Sequence, residues 1–262
     1  MTRPVLQSGL PAYPWMDPRL SRLPGILPLE PQDWLITDDA YAGQMALRER
    51  LIADRPDDVH RLDEAAYPAA RELYDLVLAE LPRLGFSRDG AEMARPDGVR
   101  VPLDRDAPLL TLGRLVQEDF CLMQPDGPEH VLTGAILCFP AAWTLAEKFG
   151  RPLIGIHAPV PEYDADLAPR VQRLFDAIRP ERPLWRMNAH RYETPDLFIP
   201  HSEASPRPKP KGPGAYLRCE RQCLLRLPET GAVVFSIHTY VVAMDSLPDD
   251  ARAALLAGAA TS

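Results

Sequence analysis

Cysteine is scarce in this chain: four in 262 residues, too few for a disulfide scaffold at this length. Cys219 and Cys223 stand four apart, but no second Cys/His pair follows at zinc-finger spacing and no ferredoxin-type run exists. The four are expected to be reduced, half-buried small hydrophobes. No apolar run is long enough to span a bilayer, and no basic-then-apolar leader follows Met1. Cytoplasmic residence without a membrane partner is the resulting expectation. Positive charge is also short. Against 37 Asp and Glu there are 29 Lys and Arg, a net charge of -8, and no basic run offsets it. A nucleic-acid partner is therefore not expected. A Walker loop, a Rossmann glycine pattern and a Ser/His/Asp order are all missing, so neither a nucleotide site nor a serine-hydrolase site is expected.

What the chain has in excess is proline, 30 residues, which implies many fixed loops and few long helices. At 46% hydrophobic and 25% charged it has the composition of a globular protein with one good core. Residues 1–37 read as a Pro-rich arm with scattered aromatics. Helical spacing of apolar groups predicts helices over 39–54, with Asp38 or Asp39 as cap, and over 67–81, ended by Pro82. From about residue 109 the pattern turns to strands. Apolar runs at 120–124 and 130–139 flank the turn residues 124–128 and predict a hairpin. A short helix over 142–149, a Pro-punctuated loop over 151–162 and an amphipathic helix over 167–178 follow. A strand is expected at 184–192, an exposed loop at 195–215, and a final hairpin at 216–227 and 232–242. Strands surrounding a block of helices make an α+β plan, compatible with a PAS-like antiparallel sheet whose inserted helices close over one face. The expected division is an N-terminal arm and helical extension (1–108), a PAS-like core (109–245) and a C-terminal tail (246–262).

The segment 217–228 places ionisable groups where the chain otherwise looks like core, and an unpaired buried charge costs several kcal/mol. Alternation along a strand puts Arg218, Glu220 and Gln222 on one face, with Cys219, Arg221 and Cys223 on the other. Glu220 beside two arginines suits a proton relay or an ammonium ligand; a structural ion-pair network is the competing reading. His157 is the one polar side chain in the apolar run 152–161. It suits an axial haem ligand, but from the residues alone a core histidine bonded to a backbone carbonyl is the favoured reading. Arg186 and Arg191 flank Asn188, and either can pair with a carboxylate through a bidentate fork. His190 stays open between an exposed and a functional position, and His238 reads as a core or pocket-lining residue rather than a ligand.

These segments together resemble the haem-dependent oxidative N-demethylases. The resemblance runs in order through Pro24-Gly25-Ile26-Leu27-Pro28-Leu29, Asp38-Asp39-Ala40-Tyr41, Glu118-Asp119-Phe120-Cys121 and Cys138-Phe139-Pro140. It continues through Ile156-His157-Ala158-Pro159, Arg186-Met187-Asn188 and Glu220-Arg221-Gln222, and covers residues 20–245. It implies a PAS-like domain holding haem b, which oxidises a small secondary amine with O2. Electrons would come from NAD(P)H through a separate flavin and iron–sulfur reductase chain, and a homo-oligomer is compatible with it. By motif position His157 becomes the expected axial iron ligand, with Arg186, Gln222 and His238 as cofactor contacts and Arg218, Glu220 and Arg221 as catalytic groups. Two positions depart from the family pattern: Ala189 stands where Trp is usual, and His238 where Arg is usual. A PAS-like haem or small-ligand sensor without turnover is the alternative.

Overall fold

The structure is a computed structural model that describes residues 4–22, 25–157, 167–205, 212 and 214–258. In chain order its elements are α1 (Pro18–Ser21), β1 (Leu27–Pro28), α2 (Tyr41–Asp54), α3 (Pro56–Val59), β2 (His60–Leu62) and α4 (Tyr67–Glu80). Then come β3 (Ser87–Asp89), β4 (Glu92–Ala94), β5 (Arg100–Pro102), α5 (Pro108–Gly113), β6 (Asp119–Asp126) and β7 (Glu129–Ile136). The chain continues with α6 (Leu145–Lys148), α7 (Leu153–His157), α8 (Leu167–Ala177), β8 (Leu184–Tyr192), β9 (Tyr216–Arg226), β10 (Val233–Ala243) and α9 (Asp249–Gly258).

Seven strands form one antiparallel sheet in the order β1-β8-β9-β10-β6-β7-β2, and β3-β4-β5 form a small second sheet. β10 is rich in β-branched and aromatic residues, which pack well on a pleated surface, and β9 pairs with it along its whole length. The turn between β9 and β10 closes at Gly231, whose φ of +71° suits a residue without Cβ. Glu72 of α4 then accepts the backbone N–H groups of Glu229 and Thr230, fixing that turn to the helical layer. β1 and β2 come from the N-terminal third and complete the two edges of the sheet.

α2 presents Tyr41, Met45, Arg48 and Ile52 to the interior, the i, i+4, i+7, i+11 pattern of one helical face. Arg48 is an expensive member of that face. It is stabilised because Nη1 meets Asp119 at 2.7 Å while other guanidinium N–H groups donate to the carbonyls of Gly113, Gln117 and Glu118. One side chain thus fixes the chain entering β6. Asp119 also accepts the amides of Cys138 and Phe139, where the chain leaves β7.

The helices over 41–54, 67–80 and 167–177, the β6–β7 hairpin and strands β8 to β10 match the sequence expectations closely. The region read as a loop over 151–162 contains α7, too short for periodicity to mark. The helix expected over 142–149 is confined to α6, because Ala142 takes φ +64° and its amide donates to Ile199 O at 3.0 Å. β3 to β5 carry the signature of short hairpins: Gly90 and Gly98 both have positive φ at the turns.

Candidate functional site

Residues directly opposite in an antiparallel ladder share a face. β9 pairs Glu220 with Asn188 on β8 and Thr239 on β10, and pairs Gln222 with Arg186 and Ile237. One face of the sheet therefore carries Arg186 and Asn188, Arg218, Glu220 and Gln222, and Thr239. Farther along the same face the surface turns apolar. Cys121, Met123, Leu132, Leu224 and Ile237 pack there with Leu153 of α7 and Phe175 of α8. α7 and α8 are thus the covering layer, and the polar patch begins where their apolar contact ends.

Glu220 is the hub of this patch and is 8% exposed. Its Oε2 accepts from Gln222 Nε2 at 3.0 Å and from Asn188 Nδ2 at 3.3 Å, and its Oε1 accepts from Arg218 Nη2 at 3.3 Å. Asn188 Oδ1 in turn accepts the Glu220 amide at 3.0 Å, so the two residues grip each other across the strands. Arg218 donates to Leu197 O and Phe139 O, closing the end of the patch with two loops. Arg186 is different. Its Nε is buried with no hydrogen-bond partner, burial pulls its pKa below the ordinary value, and the charge of Glu220 pushes back. A half-buried cation whose Nε lacks an acceptor has the chemistry of an anion site.

Arg221 and His238 face the other side of the sheet. Arg221 donates to the carbonyls of Asp33 and Trp34 and lies 5.4 Å from the Trp185 ring centroid, so it holds the N-terminal segment. His238, 1% exposed, lies between Asp38 and Glu118, with each ring nitrogen 3.0 Å from a carboxylate oxygen. Burial pulls its pKa down, but the hydrogen bonds and charges of Asp38 and Glu118 outweigh that and raise it to about 9. Asp38 is correspondingly held below the ordinary carboxylate value. The arrangement brings Arg186, Arg218, Glu220 and Gln222 together and sets Arg221 and His238 apart from them.

His157 ends α7 above the first face; its side chain and residues 158–166 lie outside the described residues. Arg191 and His190 continue β8 beyond Asn188. Two contributors escape a reading of the sequence. Asn188 is visible as part of a motif, but its grip on Glu220 depends on the β8–β9 register. Asp38 looks like a helix cap and does accept the Ala40 amide, while its second oxygen serves His238. Among the described residues, no group of three or more His, Cys, Asp or Glu side chains is gathered as a metal site, and no helix is long and apolar enough to cross a membrane.

The model of one family, described as haem-dependent oxidative N-demethylase, alpha subunit-like, matches residues 25–262. That span takes in every strand of the large sheet and both faces just described. The chain belongs to the haem-dependent oxidative N-demethylase alpha-subunit-like family.

Proposed function

We propose that this chain is a haem-binding oxidative enzyme that removes an N-alkyl group from a small secondary amine. Its sheet, with helices α6 to α8 inserted after β7 and α7 and α8 closing over one face, is read as PAS-like. The observation that carries the reading is Arg186, a half-buried residue whose buried Nε has no partner, on the same face as the Glu220 cluster. A cofactor bearing carboxylates is the group this face would hold, with Arg186 meeting a carboxylate beside the apolar layer. From its motif position His157 would hold the iron, and Gln222 would be a contact at the edge. When bound, haem supplies the one-electron and O2 chemistry.

The chain's own groups do the rest. Glu220 is kept in place by Arg218, Asn188 and Gln222, and as a carboxylate it attracts an ammonium and accepts a proton at Oε2. Arg218 orients that carboxylate, since its guanidinium is itself fixed by two backbone carbonyls. Arg221 and His238 are assigned a structural task on the opposite face. Electrons are assigned to a separate reductase chain drawing on NAD(P)H, in keeping with a family described as an alpha subunit.

The test is Glu220→Gln in the haem-loaded chain supplied with reductase, O2 and a methylated secondary amine. Formaldehyde release should fall roughly a hundredfold while the haem absorption stays intact. Unchanged turnover would return Glu220 to a structural role. Haem uptake by the wild type with no oxidation of any small amine would favour a sensor.

A further inference from the structure

Lys148, at the end of α6, is 5% exposed. A lysine ammonium is seldom placed so deep, because its desolvation costs several kcal/mol unless good acceptors surround it. Two do so here. Nζ donates to the Ile156 carbonyl at 2.6 Å and to Glu203 Oε1 at 2.8 Å. Glu203 is itself held from two more sides. Arg151 Nη1 reaches the same Oε1 at 3.1 Å, and the Glu203 amide donates to Glu147 Oε1 at 3.0 Å. Thr144 Oγ1 fixes Glu147 from below at 2.7 Å. Segments 144–151, α7 and the loop after β8 therefore converge on one buried ammonium.

The target of that ammonium is informative. α7 has five residues, too few to be stable through its own hydrogen bonds, and the last carbonyls of any helix lack partners within it. Leu153 anchors its first turn in the apolar layer, while Ile154 is 52% exposed. At the other end Lys148 binds the carbonyl of Ile156, the residue immediately before His157, where a cation also complements the helix dipole.

We propose that Lys148 is a positioning residue for the cofactor: through the Ile156 carbonyl and Glu203 it locks the C-terminal turn of α7 and so fixes the backbone that carries His157. This rests on the reading of His157 as the axial ligand. The lock couples the ligand-bearing helix to the loop at Glu203, so the two segments move as one.

The experiment uses the full chain as wild type, Lys148→Met, Lys148→Arg and Glu203→Gln, with two readouts. Amide exchange over 153–157 is followed in the haem-free chain. The absorption and electron paramagnetic resonance spectra, and the rate of haem transfer to apomyoglobin, are followed in the loaded chain. Lys148→Met should speed exchange in α7 and haem transfer by about tenfold or more, the loss expected of a charge-assisted hydrogen bond, while β9 and β10 stay protected. Lys148→Arg should recover part of both. Unchanged α7 exchange would overturn the proposal, as would faster exchange with an unaltered haem spectrum and transfer rate. Should Lys148→Met fail to fold, Glu203→Gln keeps the lysine and carries the same readouts, with a severalfold rise expected in each; no change in either overturns the proposal. A wild-type chain that takes up no haem would defeat the cofactor reading and the positioning role with it. The exchange data tell that result apart from failure of the lock.

Discussion

His238→Gln isolates the proton held between buried Glu118 and half-buried Asp38. Folding raises the imidazole pKa from 6.5 to about 9, so the folded chain binds a proton more tightly than the unfolded one. At 1.36 kcal/mol per pH unit that difference corresponds to about 3 kcal/mol of stability. Because the folded value is the higher, this contribution is fully present below pH 6.5 and is lost as pH rises through 9. The groups facing the ring are Asp38 before α2, Glu118 before β6, Arg221 on β9 and Tyr240 on β10. Asp38 works in the opposite direction: its pKa is lowered by folding, so its share is lost as pH falls through the acid range. Gln at 238 keeps a hydrogen-bonding group but leaves buried Glu118 and half-buried Asp38 without a cation, which costs about 3 to 5 kcal/mol. The assay is urea unfolding followed by tryptophan fluorescence, since Trp34 is buried nearby and its indole N–H donates to Ser236 Oγ at 2.9 Å. Wild type should lose stability steadily between pH 6.5 and 9. The variant should start lower and stay nearly flat over that interval. Parallel curves for the two proteins would refute the reasoning.

Three further outcomes follow from packing and hydrogen bonding. Arg48→Met should destabilise the chain by about 3 to 5 kcal/mol in the same unfolding assay, because Asp119 would remain buried beside an apolar chain. Gln7→Ala should cost about 1 to 3 kcal/mol, since Gln7 serves the Val241 N–H and the Thr239 carbonyl where β10 extends past the end of β6; accelerated amide exchange at Val241 would locate the loss. Gly113→Ala would place a Cβ 2.6 Å from Ile136 Cγ1 and 3.0 Å from Ile52 Cδ1, and the overpacking should lower stability by about 1 to 3 kcal/mol.

Much of this architecture is legible in the residues. β10 announces itself through its β-branched run, β9 through the turn that joins it to β10, and alternation alone places Arg218, Glu220 and Gln222 on one face and Arg221 on the other. What alternation cannot give is which face the helices cover; that is set by the layer above the sheet, where Leu153 and Phe175 pack with Leu224 and Ile237. α7 stayed hidden because five residues generate no helical period; its C-terminal end is held by a lysine from another segment. β1 and β2 are two and three residues long, and only the sheet they complete defines them. The partners of His238 lie 120 and 200 positions away in sequence, a separation that no local pattern records. His238 places a cation there, because Asp38 and Glu118 raise the imidazole pKa to about 9.

The central claim is that the Arg186–Glu220 face receives haem, and a hemin titration of the purified haem-free chain tests it most directly. Wild type should develop a Soret band that saturates with added hemin, and Arg186→Leu should bind at least about tenfold more weakly through the lost ion pair. No Soret band in the wild type, or equal affinity in the two proteins, would contradict the account.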